Sequence, residues 1–91
     1  MLEFEWDPDK AESNFRKHGV SFHEAATAFG DPLSITFYDP DHSEGEDRYI
    51  TIGMSNDGHL IIVSHTDRGD NIRIISARKA SRRERKIYED G

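Results

Sequence analysis

The sequence predicts an α+β domain in which a mostly antiparallel β-sheet carries two N-terminal helices on one face. Apolar residues repeat at helical spacing up to about residue 30. From Leu33 onward they alternate with polar residues, which is the period of a β-strand. The predicted element order is β-α-α-β-β-β-β-α, in which the last element is a short C-terminal helix. The 91 residues show no linker and no repeat, so we assign residues 1–91 to one domain.

The N-terminal segment predicts a strand followed by a helix. Apolar and acidic residues alternate over LEFEW (2–6), as in a strand with one buried face. The Asp-Pro pair at 7–8 has the form of a helix N-cap with proline at the first helical position. Gly19 predicts the end of this helix, and we expect Ala11 and Phe15 to be its buried residues.

A second helix is predicted to begin at Ser21. Ser21 and Glu24 form the S-x-x-E pattern of a capping box, in which each side chain binds a free backbone N–H at the helix start. The segment Gly30 to Pro32 predicts the end of the helix. One apolar stripe at helical spacing predicts the buried face, formed by Phe22, Ala25, Ala26 and Phe29.

Four strands are predicted after the helices. They cover residues 33–38, 48–54, 59–66 and a final segment from Asn71, with turns at 55–58 and 67–70. The Asp-Gly pair at 57–58 favours a hairpin turn, because glycine adopts positive φ at no steric cost. The strand at 59–66 is apolar on both faces at its centre, which predicts an interior position in the sheet.

The loop at 39–47, DPDHSEGED, carries five acidic residues and therefore raises the question of a calcium site. An EF-hand loop requires a third ligand and a glycine where Ser43 and Glu44 stand here, so the pattern is not met. The five histidines show no zinc-ligand spacing, and the chain has no cysteine. We expect a solvent-exposed loop, no metal site and no cofactor.

The C-terminal segment, residues 71–90, concentrates positive charge beside a helix start. Isoleucines at 72, 74 and 75 predict a buried strand, and Ser81 with Glu84 repeats the capping-box pattern. Free N–H groups at a helix start next to arginines form a favourable environment for phosphate. The alternative is a solvent-exposed face that pairs with the acidic part of the chain. The basic residues are Arg73, Arg78, Lys79, Arg82, Arg83, Arg85 and Lys86.

The charge distribution limits the partners that this protein can have. Residues 1–67 hold four Lys/Arg against 14 Asp/Glu, whereas residues 68–91 hold eight against four, and the net charge is −6. An acidic protein does not coat nucleic acid indiscriminately, but a local basic patch can bind a few phosphates. The sequence contains no helix-turn-helix signature, which argues against direct DNA binding. No apolar run could span a membrane and no signal peptide is evident, so we expect a cytoplasmic protein.

Three motifs carry a resemblance to a known family. The chain has W-D-P-x-K at 6–10, N-x-R-K-H-G-V-S-F at 14–22, and I-R-I-I-S-A-R-K-A with E-R-x-x-Y-E within 72–89. In this order they resemble the BrnT toxins of bacterial BrnT–BrnA type II toxin–antitoxin modules. The resemblance implies a RelE-like fold and a small ribonuclease that cleaves RNA and blocks translation. It also implies a BrnA-like antitoxin as partner, through which alone the toxin would reach operator DNA.

RNA cleavage through the 2′-hydroxyl needs a proton acceptor, cations for the charge on phosphorus, and a proton for the leaving oxygen. Arginine suits the second task, because its planar guanidinium binds two phosphate oxygens. His65, at the end of a central strand, suits proton transfer near neutral pH. Our candidate catalytic residues are Arg68, Arg73, Arg78, Glu84 and His65. Our candidate RNA-binding residues are Arg48, Lys79, Arg82 and Arg83.

Each of these assignments has a structural alternative. The capping box alone explains Glu84, which could otherwise position Arg78 or Arg82 or act as a base. Arg73 could be an ordinary exposed strand residue, and His65 a structural histidine. Tyr88 is a more distant candidate for the acid. A non-enzymatic interaction module, whose basic strand-helix surface receives an acidic partner segment, is the rival class of function.

Overall fold

The computed structural model describes residues 2–91 and confirms the predicted α+β fold and element order. The strands are β1 (Glu3–Glu5), β2 (Ile35–Tyr38), β3 (Arg48–Met54), β4 (Leu60–Arg68) and β5 (Asn71–Lys79). The helices are α1 (Pro8–His18), α2 (Phe22–Ala28) and α3 (Arg82–Asp90), with one turn of 3₁₀ helix at Pro40–His42. The strands form one sheet in the order β1-β5-β4-β3-β2. Only the β1–β5 pair is parallel, so the sheet is mostly antiparallel as predicted.

Helices α1 and α2 cover one face of the sheet, which we call the helix face. The main core lies between them and the central strands β4 and β5. The backbone of α2 approaches β3 so closely that a Cβ on Gly53 would lie 2.6 Å from the Ala28 carbonyl oxygen. Glycine at this position therefore permits the contact. The buried residues of this core are Val20, Phe22, Ala25, Ile61, Val63, Ile74 and Ala77.

Helix α1 departs from the predicted burial pattern. Phe15 is 55% exposed, so the expectation that it would be buried is wrong, and Ala11 is only partly buried. The buried side chain of α1 is instead Asn14. Its amide donates to the carbonyl oxygens of Val20 (3.0 Å) and Ala77 (2.8 Å) and accepts from the Ala77 N–H (3.1 Å). One polar residue thus joins α1, the following loop and β5.

Helix α2 forms only half of the predicted capping box. The Ser21 hydroxyl accepts from the Glu24 N–H, but the Glu24 carboxylate binds Ser55 and His59 instead of returning to the helix start. In the apolar stripe Phe22 and Ala25 are buried, and the remaining two predicted members are partly buried. The beginning of the next predicted strand is also corrected, because β2 starts at Ile35.

Helix α3 packs on the opposite face of the sheet, which we call the open face. Tyr88 lies against a small second core of Ile52, Leu60 and Ile62. The Tyr88 hydroxyl donates to Asp31 Oδ2 at 2.6 Å. The same carboxylate oxygen accepts from the backbone N–H of Met54 at 2.8 Å, so one group joins α3 to β3. The rest of the open face remains accessible.

A β-bulge interrupts the pairing of β4 with β5. Ser64 pairs with Ser76 and His65 pairs with Ile74, so Ile75 is an extra residue on β5. Side chains of a regular strand alternate between faces, and an extra residue reverses that alternation. Arg73 and Arg78 are five residues apart and would point to opposite faces of a regular strand. The bulge brings both onto the open face.

None of the helices formed within residues 2–91 combines the length and the apolar composition that crossing a membrane requires.

The three hydrogen bonds of Asn14 predict a large contribution to stability. In Asn14→Ala, the Ala77 N–H and two carbonyl oxygens lose their buried partner. We expect the free energy of unfolding to fall by about 2–3 kcal/mol, since each net hydrogen bond contributes about 1 kcal/mol. Urea denaturation at pH 7 measures this. Ser13→Ala, at an exposed neighbouring position, should leave stability within about 0.5 kcal/mol of the unmodified protein. Equal stability of the two variants would contradict the prediction.

Candidate active site

A groove of about 280 Å³ lies on the open face beside the loop at 39–47. Its floor comes from the three central strands, where small serine side chains leave room above the sheet. Its two ends carry arginines, one on β3 and one on β5. The lining residues are Asp39, His42, Arg48, Ile50, Ser64, Ile75, Ser76 and Arg78.

Arg78 is held in the groove by a bidentate ion pair with Glu84. The two guanidinium nitrogens Nη1 and Nη2 donate to Oε1 (2.7 Å) and Oε2 (2.8 Å) of the carboxylate. Glu84 also accepts from the Ser81 N–H at 2.9 Å, and its own N–H donates to the Ser81 hydroxyl, which completes the predicted capping box. Of the roles considered for Glu84, the geometry corresponds to positioning Arg78.

The contact between Arg78 and Glu84 shifts the pKa of both groups. The hydrogen bonds from Arg78 lower the pKa of Glu84 to about 2, with burial opposing the shift and Ser81 adding to it. The same contact raises the pKa of Arg78 above its ordinary value. At neutral pH Glu84 is therefore an ionised carboxylate with very weak basicity, which is unsuited to accept a proton from substrate.

A second cationic region continues along the open face. Arg48, Thr66 and Arg73 are neighbours in register across β3, β4 and β5, and Glu5 of β1 completes the row. Arg73 donates to Glu5 at 3.1 Å, whereas the ion pairs formed within residues 2–91 do not include Arg48. The buried Thr66 hydroxyl has no hydrogen-bond partner in the same part of the chain. Arg48 is thus available to bind an anion.

The groove also contains a histidine–carboxylate pair that our sequence predictions missed. His42 Nδ1 lies 2.8 Å from Asp39 Oδ2, and both residues line the groove. The 3₁₀ turn at Pro40–His42 creates this contact, because it brings residues three positions apart onto one side. The D-x-x-H spacing was a usable signal, but the acidic character of the loop suggested only solvent exposure.

His65 lies on the helix face and is 2% exposed. Its Nε2 lies 2.8 Å from the Thr51 hydroxyl and its Nδ1 lies 2.9 Å from Asp67, while its ring packs against Phe29 and Tyr49. Burial lowers the pKa of His65, and Asp67 only partly opposes this shift. The sheet therefore separates His65 from the arginines of the groove.

The remaining predicted residues are dispersed around the groove. Lys79 pairs with Ile61 on the helix face, where its charge helps to lower the pKa of Glu24. Arg68, at the end of β4, binds Glu46 at 3.3 Å. Arg82 and Arg83 are exposed on α3. Of the nine predicted site residues, the groove itself contains Arg48 and Arg78, with Glu84 bound to the latter.

Two further observations concern proton transfer and metals. The Tyr88 hydroxyl donates to Asp31, which raises the pKa of Tyr88 and places it under α3 instead of in the groove. Within residues 2–91, no three His, Asp or Glu side chains are grouped so that they could hold a metal ion. The polar chemistry of the groove therefore comes from guanidinium, imidazole, carboxylate and hydroxyl groups.

The fold and the groove define a small α+β domain with an arginine-containing anion site on the open face of its sheet. A family model described as the ribonuclease toxin BrnT of type II toxin–antitoxin systems matches residues 6–84. The chain belongs to this BrnT ribonuclease toxin family. It is also similar to the crystal structure of the Brucella abortus ribonuclease toxin BrnT, with 26% sequence identity and a TM-score of 0.65. The similarity covers 90% of this chain and 100% of that one. Comparison with curated proteins gave no significant match.

The depressed pKa of Glu84 predicts a pH-dependent stability contribution. Its folded-state pKa of about 2 lies below the ordinary value of 4.5, so the ionised form stabilises the fold above about pH 4.5. That contribution is lost as the pH falls toward 2. We expect Glu84→Gln to destabilise the protein by about 1 kcal/mol at pH 7, since the pair is partly exposed.

Urea denaturation of both proteins at pH 7 and at pH 3 measures the effect. The difference between them should shrink at the lower pH, because at pH 3 the Glu84 carboxyl is protonated in the unfolded chain and must lose that proton on folding. Glu89→Gln, on the exposed side of the same helix, is the control and should show little difference at either pH. A constant Glu84→Gln effect across this range would show that its charge is not responsible.

Proposed function

We propose that this protein is an endoribonuclease toxin that cleaves RNA in the groove of the open face and thereby inhibits translation. The observation that carries the proposal is that two arginines line one groove open to solvent. Arg78 is fixed by Glu84, whereas Arg48 takes part in none of the ion pairs formed within residues 2–91. Membership of the BrnT family supports the reaction class. We expect the toxin to act in the cytoplasm, where its RNA substrate is found.

The two arginines have complementary roles in this proposal. Attack by a 2′-oxygen places additional negative charge on the phosphorus-bound oxygens, and guanidinium groups stabilise that charge. Glu84 occupies two donors of Arg78, and Nη1 also donates to the Lys79 carbonyl oxygen at 3.4 Å, so the guanidinium plane is fixed at the groove wall. Arg48 has no such partner and can move to follow the phosphate.

The other basic residues extend the RNA-binding surface. Arg73 lies on the same face as the groove, where Glu5 holds it beside Thr66. Arg68, Arg82 and Arg83 lie further out and would contact phosphates that flank the cleaved bond. These contacts contribute affinity that depends on salt, since they are exposed. His65 and Lys79 have structural roles in this scheme because both lie on the helix face.

We further propose that the reaction needs no metal ion, because arginines occupy the position at which a metal ion would stabilise the phosphate charge. Cleavage in the presence of EDTA tests this directly. An unchanged rate of cleavage supports the scheme. A lower rate that added Mg²⁺ brings back to its original value would overturn it.

A cognate BrnA-like antitoxin is the expected protein partner. We propose that an acidic or hydrogen-bonding segment of it covers Arg48 and Arg78 and so excludes RNA from the groove. Contact with operator DNA would then come only through the DNA-binding part of the antitoxin, since the toxin is acidic overall. A complex that leaves the groove open to RNA would overturn this mode of inhibition.

The arginine scheme predicts which substitutions slow cleavage. Loss of a charge-assisted hydrogen bond costs about 1.5–3 kcal/mol, and tenfold in rate corresponds to about 1.4 kcal/mol. We therefore expect Arg48→Ala and Arg78→Ala each to slow single-turnover cleavage of a model RNA by about ten- to a hundredfold. Arg73→Ala should have a similar or smaller effect. Arg85→Ala, on the exposed side of α3, is the control and should change the rate less than about threefold.

Circular dichroism and urea denaturation of each variant separate loss of activity from loss of folding. If the groove variants cleave RNA at the unmodified rate while folded, the site is elsewhere. If the unmodified protein is folded but cleaves no RNA, the rival interaction-module function is supported.

Expression in bacteria provides a test at the level of the cell. Induction of the toxin alone should stop incorporation of labelled amino acids, because cleaved RNA cannot support translation. Co-expression of the neighbouring antitoxin should restore it, and the Arg48→Ala/Arg78→Ala double variant should be tolerated without antitoxin. Unchanged protein synthesis with soluble, folded toxin present would contradict the proposed function.

A further inference from the structure

We propose that His42 is the general base of the RNA cleavage reaction and that Asp39 positions it. The inference rests on the proposed function and deepens it, since it names the group that removes the 2′-hydroxyl proton. It is carried by the geometry of the histidine–carboxylate pair at the mouth of the arginine groove.

The hydrogen bond between the two residues fixes the tautomer of the imidazole. An ionised carboxylate only accepts hydrogen bonds, so Nδ1 of His42 must donate to Asp39 Oδ2 across 2.8 Å. In the neutral ring Nε2 is then the unprotonated nitrogen. The hydrogen bonds formed within residues 2–91 do not involve His42 Nε2, and the side chain is 65% exposed. The lone pair required for proton abstraction is therefore free.

The loop that carries His42 is attached to the strand that carries Arg48. The Asp39 N–H donates to the Arg48 carbonyl oxygen at 2.8 Å, and the Arg48 N–H donates to the Ser43 hydroxyl at 2.9 Å. Ser43 in turn donates to the Asp39 carbonyl oxygen. These bonds set the 3₁₀ turn at a fixed place relative to β3. The imidazole and the Arg48 guanidinium therefore adjoin the same groove wall.

Several charged groups set the electrostatic environment of the imidazole. Asp39 precedes the 3₁₀ turn, Asp41 and Glu44 belong to the same loop, and Arg48 and Arg78 face it from β3 and β5. Since Glu84 neutralises Arg78, Asp39 is the charge in direct contact with the ring.

The other candidate bases in the molecule are less suitable. Glu84 has a pKa of about 2 and both of its oxygens bind Arg78. His65 uses both ring nitrogens in hydrogen bonds on the helix face. His59 forms a similar pair with Glu24 at 2.7 Å, but it lies among residues of α2 and the 55–59 turn, away from the groove. Among these groups His42 alone combines a free nitrogen with a place in the groove.

The proposed step is an attack of the 2′-oxygen on the adjacent phosphorus. His42 Nε2 removes the proton of a 2′-hydroxyl, and the freed electron pair on O2′ forms a bond to the adjacent phosphorus. The bond between phosphorus and O5′ breaks, and its electron pair remains on O5′, which takes a proton from solvent water. The products are a 2′,3′-cyclic phosphate and a 5′-hydroxyl end. Arg48 and Arg78 stabilise the charge on the phosphorus oxygens during the step, and protonated His42 returns its proton to the solvent.

The test is a pH–rate profile of single-turnover cleavage of a short RNA by the full-length protein. A general base acts only in its unprotonated form, so the rate of the unmodified protein should rise with pH as the imidazole loses its proton. We expect His42→Ala to lower the rate at pH 7 by at least about a hundredfold, because general-base catalysis contributes about 10²–10⁴-fold. It should also abolish the pH-dependent rise, and free imidazole should restore part of the activity.

Asp39→Asn tests the positioning role separately. The amide oxygen can still accept the hydrogen bond from Nδ1, but the amide NH₂ can instead donate to that nitrogen and hold the opposite tautomer, so activity should be partly lost while the rise of the rate with pH persists. The matched control is His59→Ala, which removes a histidine from an equivalent carboxylate pair outside the groove. Its rate and pH profile should equal those of the unmodified protein. Circular dichroism confirms folding of all three variants.

The outcomes separate this inference from the proposed function. If the unmodified protein cleaves no RNA, both are overturned. If it cleaves RNA and His42→Ala retains the same rate and pH profile, only the role of His42 is overturned. An RNA with one 2′-deoxyribose at the cleaved position should be inert there, and its cleavage would overturn the 2′-hydroxyl mechanism. Detection of the 2′,3′-cyclic phosphate, together with imidazole rescue, supports it.

Discussion

The ion pair between Arg78 and Glu84 joins the last strand to the last helix and controls two parts of the molecule. On one side it closes the start of α3, because Glu84 also accepts the Ser81 N–H of the capping box. On the other side it orients the guanidinium that lines the groove. A bidentate contact allows little rotation about the pair, so the position of α3 and the direction of Arg78 are set together. The second core under α3 depends on the same placement, since Tyr88 reaches Ile52 and Ile62 only from there.

The two faces of the sheet have separate functions, and the separation explains the placement of the charged residues. The helix face holds most of the buried apolar area and can tolerate His65 only because Thr51 and Asp67 satisfy both ring nitrogens. The open face is covered by α3 at one end and is polar at the other. A 91-residue chain has a small hydrophobic core, and the groove occupies part of one sheet face, so the stability of the fold depends on a few contacts. Asn14 is one of them, because it makes three hydrogen bonds from a single side chain.

Local signals in the sequence predicted most of the fold. The change of period at Leu33 separated the helices from the strands, and the capping patterns located the starts of α2 and α3 within a residue. These signals depend on neighbours in the chain, which is why they can be read without a structure. The burial of Asn14 in place of Phe15 could not be predicted in this way. It depends on Ala77, 63 positions away, whose backbone groups need a partner.

The site was predicted less completely, because it depends on which face of the sheet each residue occupies. Arg78 and Glu84 were chosen from charge and capping, and the structure joins their side chains across a six-residue spacing that spans a turn. Lys79 and His65 were placed with them because they adjoin the same strands, yet strand alternation puts both on the helix face. His42 was passed over because an acidic loop predicts solvent exposure. The D-x-x-H spacing indicates the contact with Asp39, but it does not show that the pair lines the same groove as Arg48.

The bulge at Ile75 has a consequence for how this chain tolerates changes in length. Arg73 and Arg78 share a face only because one unpaired residue stands between them. Removing that residue would leave every side chain chemically intact and still send one of the two arginines, with its charge, into the apolar core beneath α1 and α2. Insertions or deletions between these arginines are therefore acceptable only in pairs. Among related sequences the number of residues from one arginine to the other should vary less than the residues themselves.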